Sequence, residues 1–323
     1  MAPAAAAGPL LRGLLLGDAA VVEAGAARAA APPVRSGMDL YRRLQAASEA
    51  GAVLETGCRG LDDLLGGGLR AGQVHELVGA SPAGKTQVCL AAAASCAAAG
   101  LAAVYVSLQN AFSVARVAQL LRGGAARRPD GGPGLERALA HLRAAELAGA
   151  EELVEFLHAL LAHFRWLRRN GGGAPAAAEG LGAGVPRLLV VDCPAIPLAA
   201  AMAYGDGQLQ GHALMVGVGG LLKTLADEFD IAVLVTNVLV GGEARPRPSL
   251  GEAWRCQVHV RVALRAQNVV EVADRPGEAE EALVCEAVLQ KSPTVAAGAI
   301  ARFRVTGEGL LDEPPAGAAD GTA

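Results

Sequence analysis

Aromatic residues are scarce: Phe, Trp and Tyr together make up 3% of 323 residues, although 52% of the chain is hydrophobic. Much of the apolar fraction is alanine, so a core built from it must rely on close approach of backbones more than on bulky anchors. Net positive charge is also missing. The formal charge is −4 and the isoelectric point is near 5.9. No global field attracts polyanions, so any contact with nucleic acid must be local. The six cysteines (Cys58, Cys89, Cys96, Cys193, Cys256, Cys285) show no C-x-x-C spacing. They imply neither a metal site nor a disulfide framework, and the chain reads as reduced and intracellular. No uncharged apolar run reaches 18 residues, so no membrane-spanning helix is expected. Leu10–Val22 comes closest, but Arg12, Gly13, Gly17 and Asp18 interrupt it, and Asp18 and Glu23 are atypical of an organelle transit peptide.

Glycine, by contrast, is abundant, with 42 residues, and one glycine-rich stretch organises the chain: Gly79, Ala80, Ser81, Pro82, Ala83, Gly84, Lys85 and Thr86. It matches G-x-x-x-x-G-K-[ST], a loop whose backbone N–H groups turn inward to cradle phosphate oxygens. In that motif Lys85 neutralises β- and γ-phosphate charge and the Thr86 hydroxyl holds Mg²⁺. In so glycine-rich a chain the match alone carries little; its setting carries more. Gln73–Val78 (QVHELV) predicts a short apolar strand, and Lys85–Ala99 predicts a helix ended by Gly100. Strand, loop and helix in that order place phosphate at a helix N-terminus.

Residues 1–35 are rich in Ala and Pro and too few for an independent core, and Pro32-Pro33 opens a linker over 36–55 with a short amphipathic helix at Met38–Ala50. The main domain is expected over 56–311. Strands are predicted at Leu101–Leu108, Arg187–Asp192 and Ile231–Asn237, and helices at Ser113–Arg122 and Leu209–Phe229. Leu135–Arg168 carries helical periodicity, and 170–184 is a low-complexity insertion. Alternating strands and helices argue for an α/β fold, a mostly parallel central sheet flanked by helices. After Gly251, strands at Val258–Ala266, Glu281–Leu289 and Ala299–Thr306 read as antiparallel additions at one edge. Residues 312–323 read as a disordered tail.

Two further elements carry chemistry. Leu188–Asp192 (LLVVD) is an apolar strand ending in a carboxylate, the second nucleotide-binding element of such folds, with Asp192 orienting Mg²⁺. Strands also end in Asp simply to cap a turn, so the position in the same sheet supplies the meaning. Ile231–Asn237 ends in Thr236-Asn237, where Asn237 either senses the γ-phosphate or caps the strand. The next loop, Leu239–Leu250, holds Arg245 and Arg247 among Gly and Pro, which suits a DNA-contacting loop or an ordinary solvated one.

These stretches resemble the eukaryotic RecA-type strand-exchange recombinases and their paralogues. The resemblance rests on TGCRGLDDLLGGGLRAGQVHELVG with SPAGKTQ (56–87), VYVSLQNAFSVARVAQLL (104–121), LLVVD (188–192), LLKTLADEFDIAVLVTN (221–237) and PSLGEAW (248–254). SGMDLYRRL (36–44) looks like the linker of the D-type paralogue. The resemblance implies a RecA-type P-loop ATPase core, ATP and Mg²⁺ as cofactors, single-stranded or branched DNA, and other recombinase paralogues as partners in a hetero-oligomer. It also implies a nuclear location and a role in homologous-recombination repair. By motif position, Gln87 and Arg116 fall in the nucleotide site, with Arg116 against the adenine. Leu198–Gly211 and Leu239–Leu250 fall on two DNA loops, and Lys291-Ser292-Pro293 near a neighbouring subunit's nucleotide.

Departures from the pattern set the expected activity. Where active recombinases carry a general-base Glu, this chain has Gln109, and an amide accepts no proton. Loss of a general base costs about 10²–10⁴ in rate. The first DNA loop contains no Lys or Arg, and Tyr204 is its only stacking candidate. The expectation is an ATP-binding paralogue subunit with slow hydrolysis. The competing readings are an autonomous filament-forming, DNA-dependent ATPase and, from another class, a small-molecule kinase. A kinase would need an arginine-bearing lid, and neither Arg122–Arg128 nor Arg165–Arg169 suits one.

Overall fold

The computed structural model describes residues 53–127, 134–170, 185–203, 207–242, 245–275 and 278–313, with 36–38, 41–42 and 132. The N-terminal segment 1–35, most of the 36–55 linker, the 170–184 insertion beyond Asn170 and the tail from residue 314 therefore lie outside the described residues, as does Tyr204. Of the linker helix expected at Met38–Ala50, the described pieces at 37–38 and 41–42 are helical.

The chain opens with a two-stranded ribbon, β1 (Val53–Leu54) with β2 (Leu69–Arg70), around α1 (Arg59–Leu65). The main sheet then begins with β3 (Val74–Gly79), followed by α2 (Lys85–Ala98), β4 (Ala103–Ser107), α3 (Val114–Ala126) and α4 (Leu135–Leu139). Next come β5 (Leu142–Glu146), α5 (Ala150–Arg169), β6 (Leu188–Asp192), α6 (Ala195–Ala203), α7 (Gly207–Phe229) and β7 (Ala232–Val240). The rest is β8 (Arg247–Pro248), α8 (Gly251–Arg255), β9 (Val260–Arg275), β10 (Glu278–Lys291), β11 (Ile300–Thr306) and β12 (Gly309–Asp312).

The strand order is β12-β11-β10-β9-β3-β7-β6-β4-β5, with β8 hung on β7. Strands β5, β4, β6, β7, β3 and β9 run parallel, whereas β10, β11 and β12 are antiparallel. Helices cover both faces, so β3, β4 and β6 are buried along their whole length. On one face α2 and α3 pack with Leu77, Tyr105, Leu188, Val190 and Leu234. On the other, α5, α7 and Trp254 pack with Val104, Val106, Leu189, Val191, Val233 and Val235. The alanine content finds its use in α2, where ten of fourteen residues are buried, half of them Ala. Small side chains let that helix lie close on the sheet, and Gly100, at φ 73°, follows its end.

Four expectations need correction. The helical periodicity over Leu135–Arg168 covers two helices with a strand between them: Leu142–Glu146 forms the edge strand β5, paired parallel to β4. Leu198–Gly211, expected as a loop, is helical at Leu198–Ala203 in α6 and again from Gly207 in α7. Helix α3 runs on through Gly123 and Gly124, and at Gly123 it passes so close to the Glu308 carbonyl that only glycine leaves room. The first late strand, β9, joins the centre of the sheet parallel to β3, so only β10 to β12 are antiparallel additions.

The core also holds a titratable group. His75 in β3 is 2% exposed; its Nε2 accepts from the Arg70 N–H at 3.2 Å, and its Nδ1 lies 3.3 Å from the Val233 carbonyl. Burial pushes its pKa down to about 4 from the ordinary 6.5. The unfolded chain therefore takes up a proton that the folded one refuses. The stability contributed is complete above pH 6.5 and is lost as pH falls towards 4. Burial pushes His163 and His259 in the same direction. Urea unfolding of wild type is expected to weaken steadily from pH 7 to pH 4.5. His75→Gln, which keeps an acceptor for Arg70, should flatten that slope.

Candidate functional site

The parallel strands end together on one side of the sheet, and the phosphate-loop motif leaves β3 there. Gly79 pairs in register with Val238 of β7, so the loop after β3 and the hairpin after β7 emerge side by side. Gly79 has no room for a side chain: a Cβ would meet the Leu264 carbonyl at 2.5 Å. Gly84 caps α2 at φ 82°, in the left-handed region that favours glycine. Helix α2 has no side-chain cap and no acidic residue in its first turn. Its N-terminal N–H groups and dipole are therefore arranged for an anion from outside the helix. Ala80, Ser81 and Pro82 form the exposed rim of the loop, while Ala83 turns inward.

Lys85 is 9% exposed, and its Nζ donates to the Gly79 and Ala80 carbonyls at 2.8 and 2.9 Å. The ammonium is thus held at the mouth of the loop by the loop's own backbone. Burial lowers its pKa, and nearby Cys193, Asp192 and Cys89 oppose that shift. At the next position of α2, the Thr86 hydroxyl donates to Asp192 Oδ2 at 2.9 Å. Asp192, at the end of β6 and 3% exposed, also accepts from Tyr105 Oη at 2.8 Å and from Thr236 Oγ1 at 2.7 Å. Three hydroxyls, from α2, β4 and β7, thus hold one carboxylate without neutralising it. The residues fit a hydrated Mg²⁺ with phosphates: a hydroxyl and a carboxylate in contact, a lysine beside them, and an uncapped helix N-terminus. Thr86 and Asp192 are marked by their motifs and Thr236 by the polar end of its strand; nothing in the sequence marks Tyr105 or brings Thr236 to Asp192.

Gln109 is exposed, two residues beyond the end of β4. Arg116 sits on α3 with its guanidinium fully engaged. Nε donates to Gln87 Oε1 at 2.8 Å, and Nη1 and Nη2 donate to the Gly307 and Thr306 carbonyls at 2.7 and 2.6 Å. It therefore clamps α2 to the β11–β12 turn, beside the phosphate-loop helix. Lys291 Nζ holds the end of α8 through the Arg255 and Val258 carbonyls.

Asn237 does not join the phosphate cluster. Successive side chains alternate across a strand, so Thr236 faces α2 and Asp192 while Asn237 faces the opposite helix layer. Asn237 is fully buried. Its Nδ2 donates to Glu76 Oε1 at 2.8 Å, and its Oδ1 accepts from Ser249 Oγ at 2.9 Å. Glu76, also fully buried, forms an ion pair with Arg261 of β9, itself 4% exposed. A carboxylate in the middle of the apolar stretch QVHELV was the one available signal for this cluster. Leu239 and Val240 pair with Pro248 and Arg247, so the expected basic loop is a β-hairpin that carries exposed Arg245 and Arg247.

Comparison with known proteins places the chain. A family model described as Rad51 matches residues 49–122. The DNA repair protein RAD51 homolog 4 of Mus musculus is 32% identical over 261 residues, covering 80% of this chain and 71% of that protein. Its Bos taurus counterpart is 34% identical over 233 residues, covering 71% of this chain and 65% of the relative, a little under two thirds of its length. The DNA repair protein XRCC3 of Mus musculus is 28% identical, over 71% of this chain and 67% of the relative. Among solved structures, the RadB recombinase superposes with a TM-score of 0.57 at 22% identity, covering 81% of this chain and all of that one, a likeness of fold. With its RecA-like fold, its phosphate loop and these relatives, the chain belongs to the Rad51 family.

Proposed function

We propose that the chain is an ATP- and Mg²⁺-binding subunit of a hetero-oligomer of recombinase paralogues that assists homologous-recombination repair in the nucleus. Nucleotide turnover in it is slow. The family is one of DNA repair and recombination proteins, and its members generally bind ATP with Mg²⁺. The observation that carries the reading is the meeting of Lys85, Thr86 and Asp192 at the uncapped end of α2, with an amide, Gln109, at the following strand end. Lys85 and the α2 N–H groups bind phosphate, and Thr86 and Asp192 hold the metal. Bound Mg²⁺ would screen charge on the β- and γ-phosphates. Gln109 orients water without taking its proton. Single-stranded or branched DNA is contacted by Arg245 and Arg247 on the hairpin, and the segment 198–211, which has no Lys or Arg, adds no cation of its own.

Measured turnover tests this. Wild type should bind Mg·ATP and hydrolyse it slowly with or without DNA. Gln109→Glu should raise single-turnover hydrolysis by roughly tenfold or more, since it restores a proton acceptor. Fast DNA-stimulated turnover by wild type, abolished in Lys85→Ala, would instead establish an autonomous ATPase.

A further inference from the structure

Between the second half of α2, the end of α3 and the start of β12 lies a cavity of about 240 Å³. It is separate from the phosphate loop, which sits at the opposite end of α2. Missing side chains create it: eight of its fourteen lining residues are Gly or Ala. Gly124 of α3 is one of them, and a Cβ built there would meet nothing within 4 Å. Leu120, Leu121 and Leu310 supply an apolar wall, none of them more than 7% exposed. A dry cavity of about 150 Å³ already holds a benzene-sized group, so this one has room for bulky aliphatic side chains. Left unfilled, its walls forfeit packing contacts that the rest of the core makes. The rim carries two charges of opposite sign. Arg127 is exposed, and its guanidinium makes a single hydrogen bond among the described residues, from Nη1 to the Glu308 carbonyl at 3.3 Å. Glu55, also exposed, has no hydrogen-bond or ion-pair partner among them.

The chain itself holds a segment of matching chemistry. Leu11, Leu14, Leu15 and Asp18 are spaced i, i+3, i+4 and i+7, the pattern that lines three leucines and a carboxylate along one face of a helix. Arg12 lies at the other end of the leucines from Asp18. The result is an apolar patch flanked by one charge of each sign, the complement of the cavity and its rim. These residues lie outside the described ones. The chain from Ala19 to Leu54 joins them to Glu55 on the rim, and at about 3.3 Å per residue it lets them reach any part of the domain. We propose that Leu11–Asp18 docks in this cavity of its own chain, with the leucines on the apolar wall, Asp18 beside Arg127 and Arg12 beside Glu55. Tethering keeps the local concentration of the segment high, so contacts too weak to hold a free peptide suffice. The contact reaches the nucleotide side of the fold through one turn. Glu308, whose carbonyl holds Arg127, follows Gly307, whose carbonyl holds Arg116. An occupied cavity therefore braces the β11–β12 turn that Arg116 ties to Gln87 of α2.

The test is hydrogen exchange of the full chain, beside a synthetic peptide that spans residues 8–20. In wild type, the amides of 11–18 should exchange at least about tenfold more slowly than in the peptide. Gly124→Leu puts a side chain into the cavity from a helical position where leucine is the better helix former, so the fold should stay intact in a thermal melt. It should return 11–18 to the peptide's rates. Asp18→Lys and Arg127→Glu should each speed exchange of the segment about fivefold, and the two together, which restore an opposite-charge pair, should recover most of the protection. Wild-type amides that exchange at peptide rates overturn the proposal. Protection that survives Gly124→Leu overturns it too, since the segment then lodges elsewhere, as do charge reversals that fail to rescue each other. Protection that fades on dilution would mean that a second copy supplies the segment, which sinks docking within one chain.

Discussion

Replacing Lys85 with alanine is expected to weaken Mg·ATP binding by about 10²–10³-fold. The side chain is a buried cation whose Nζ rests on the carbonyls of Gly79 and Ala80, at the mouth of the loop that follows β3. When phosphate enters, those neutral acceptors give way to anionic oxygens. Each charge-assisted hydrogen bond contributes about 1.5–3 kcal/mol. Losing two of them at the lower end of that range removes about 3–4 kcal/mol, which is the stated range in affinity. Folding should survive. The two carbonyls lie beneath the exposed rim at Ala80 to Pro82, where water can replace the ammonium. A titration with a fluorescent ATP analogue, alongside thermal melts of the nucleotide-free proteins, separates the two effects. Equal affinity in wild type and Lys85→Ala would mean that the loop holds no triphosphate. Lys85→Arg keeps the charge with a longer, planar head and should recover only part of the affinity. If nucleotide also governs assembly, recovery of paralogue partners from cells should fall with Lys85→Ala in the same order.

The phosphate loop and the end of β6 were legible in the sequence because each is a local pattern: a fixed spacing of glycine, lysine and threonine, and an apolar run closed by Asp192. What completes the site is not local. Tyr105, Thr86 and Thr236 lie 87, 106 and 44 residues from Asp192, and the parallel sheet alone brings their hydroxyls onto one carboxylate. Asn237 was visible as a polar strand end, but the choice between two faces depended on strand register. One residue's shift in the predicted strand reverses every side chain. The strand LRAAE was missed because alanine, arginine and glutamate favour a helix. Its strand state comes from pairing of Leu142 with Ala103 and Ala145 with Val106, a tertiary effect that overrides propensity. Family position points to a loop for the α6 segment, although its own composition, IPLAAAMA, is that of a helix once past the proline.

The Glu76–Arg261 pair should dominate the response of the fold to mutation. Both side chains are almost completely inaccessible, Glu76 at 0% and Arg261 at 4%. Glu76 spends one oxygen on Arg261 Nε and the other on Asn237 Nδ2. Arg261 Nη2 has no hydrogen-bond partner among the described residues, so the cation is already incompletely solvated by protein. Removing Glu76 alone leaves that cation buried without its counter-charge, and removing Arg261 alone leaves a buried carboxylate. Breaking such a pair from one side costs about 3–5 kcal/mol. Glu76→Leu and Arg261→Met should each lower the urea midpoint severely. The double variant should recover much of the loss, because no unpaired charge remains and both positions adjoin apolar neighbours such as Val74 and Val235. Recovery should be incomplete, since Asn237 Nδ2 loses its acceptor and a buried amide without one costs about 1–3 kcal/mol. Adding Asn237→Val to the double variant should remove that residual cost while taking the acceptor from the Ser249 hydroxyl. A strictly additive double variant, with no recovery, would show that Glu76 and Arg261 act on the fold independently. The pair could then not be what joins the phosphate-loop strand to β9 in the interior of the sheet.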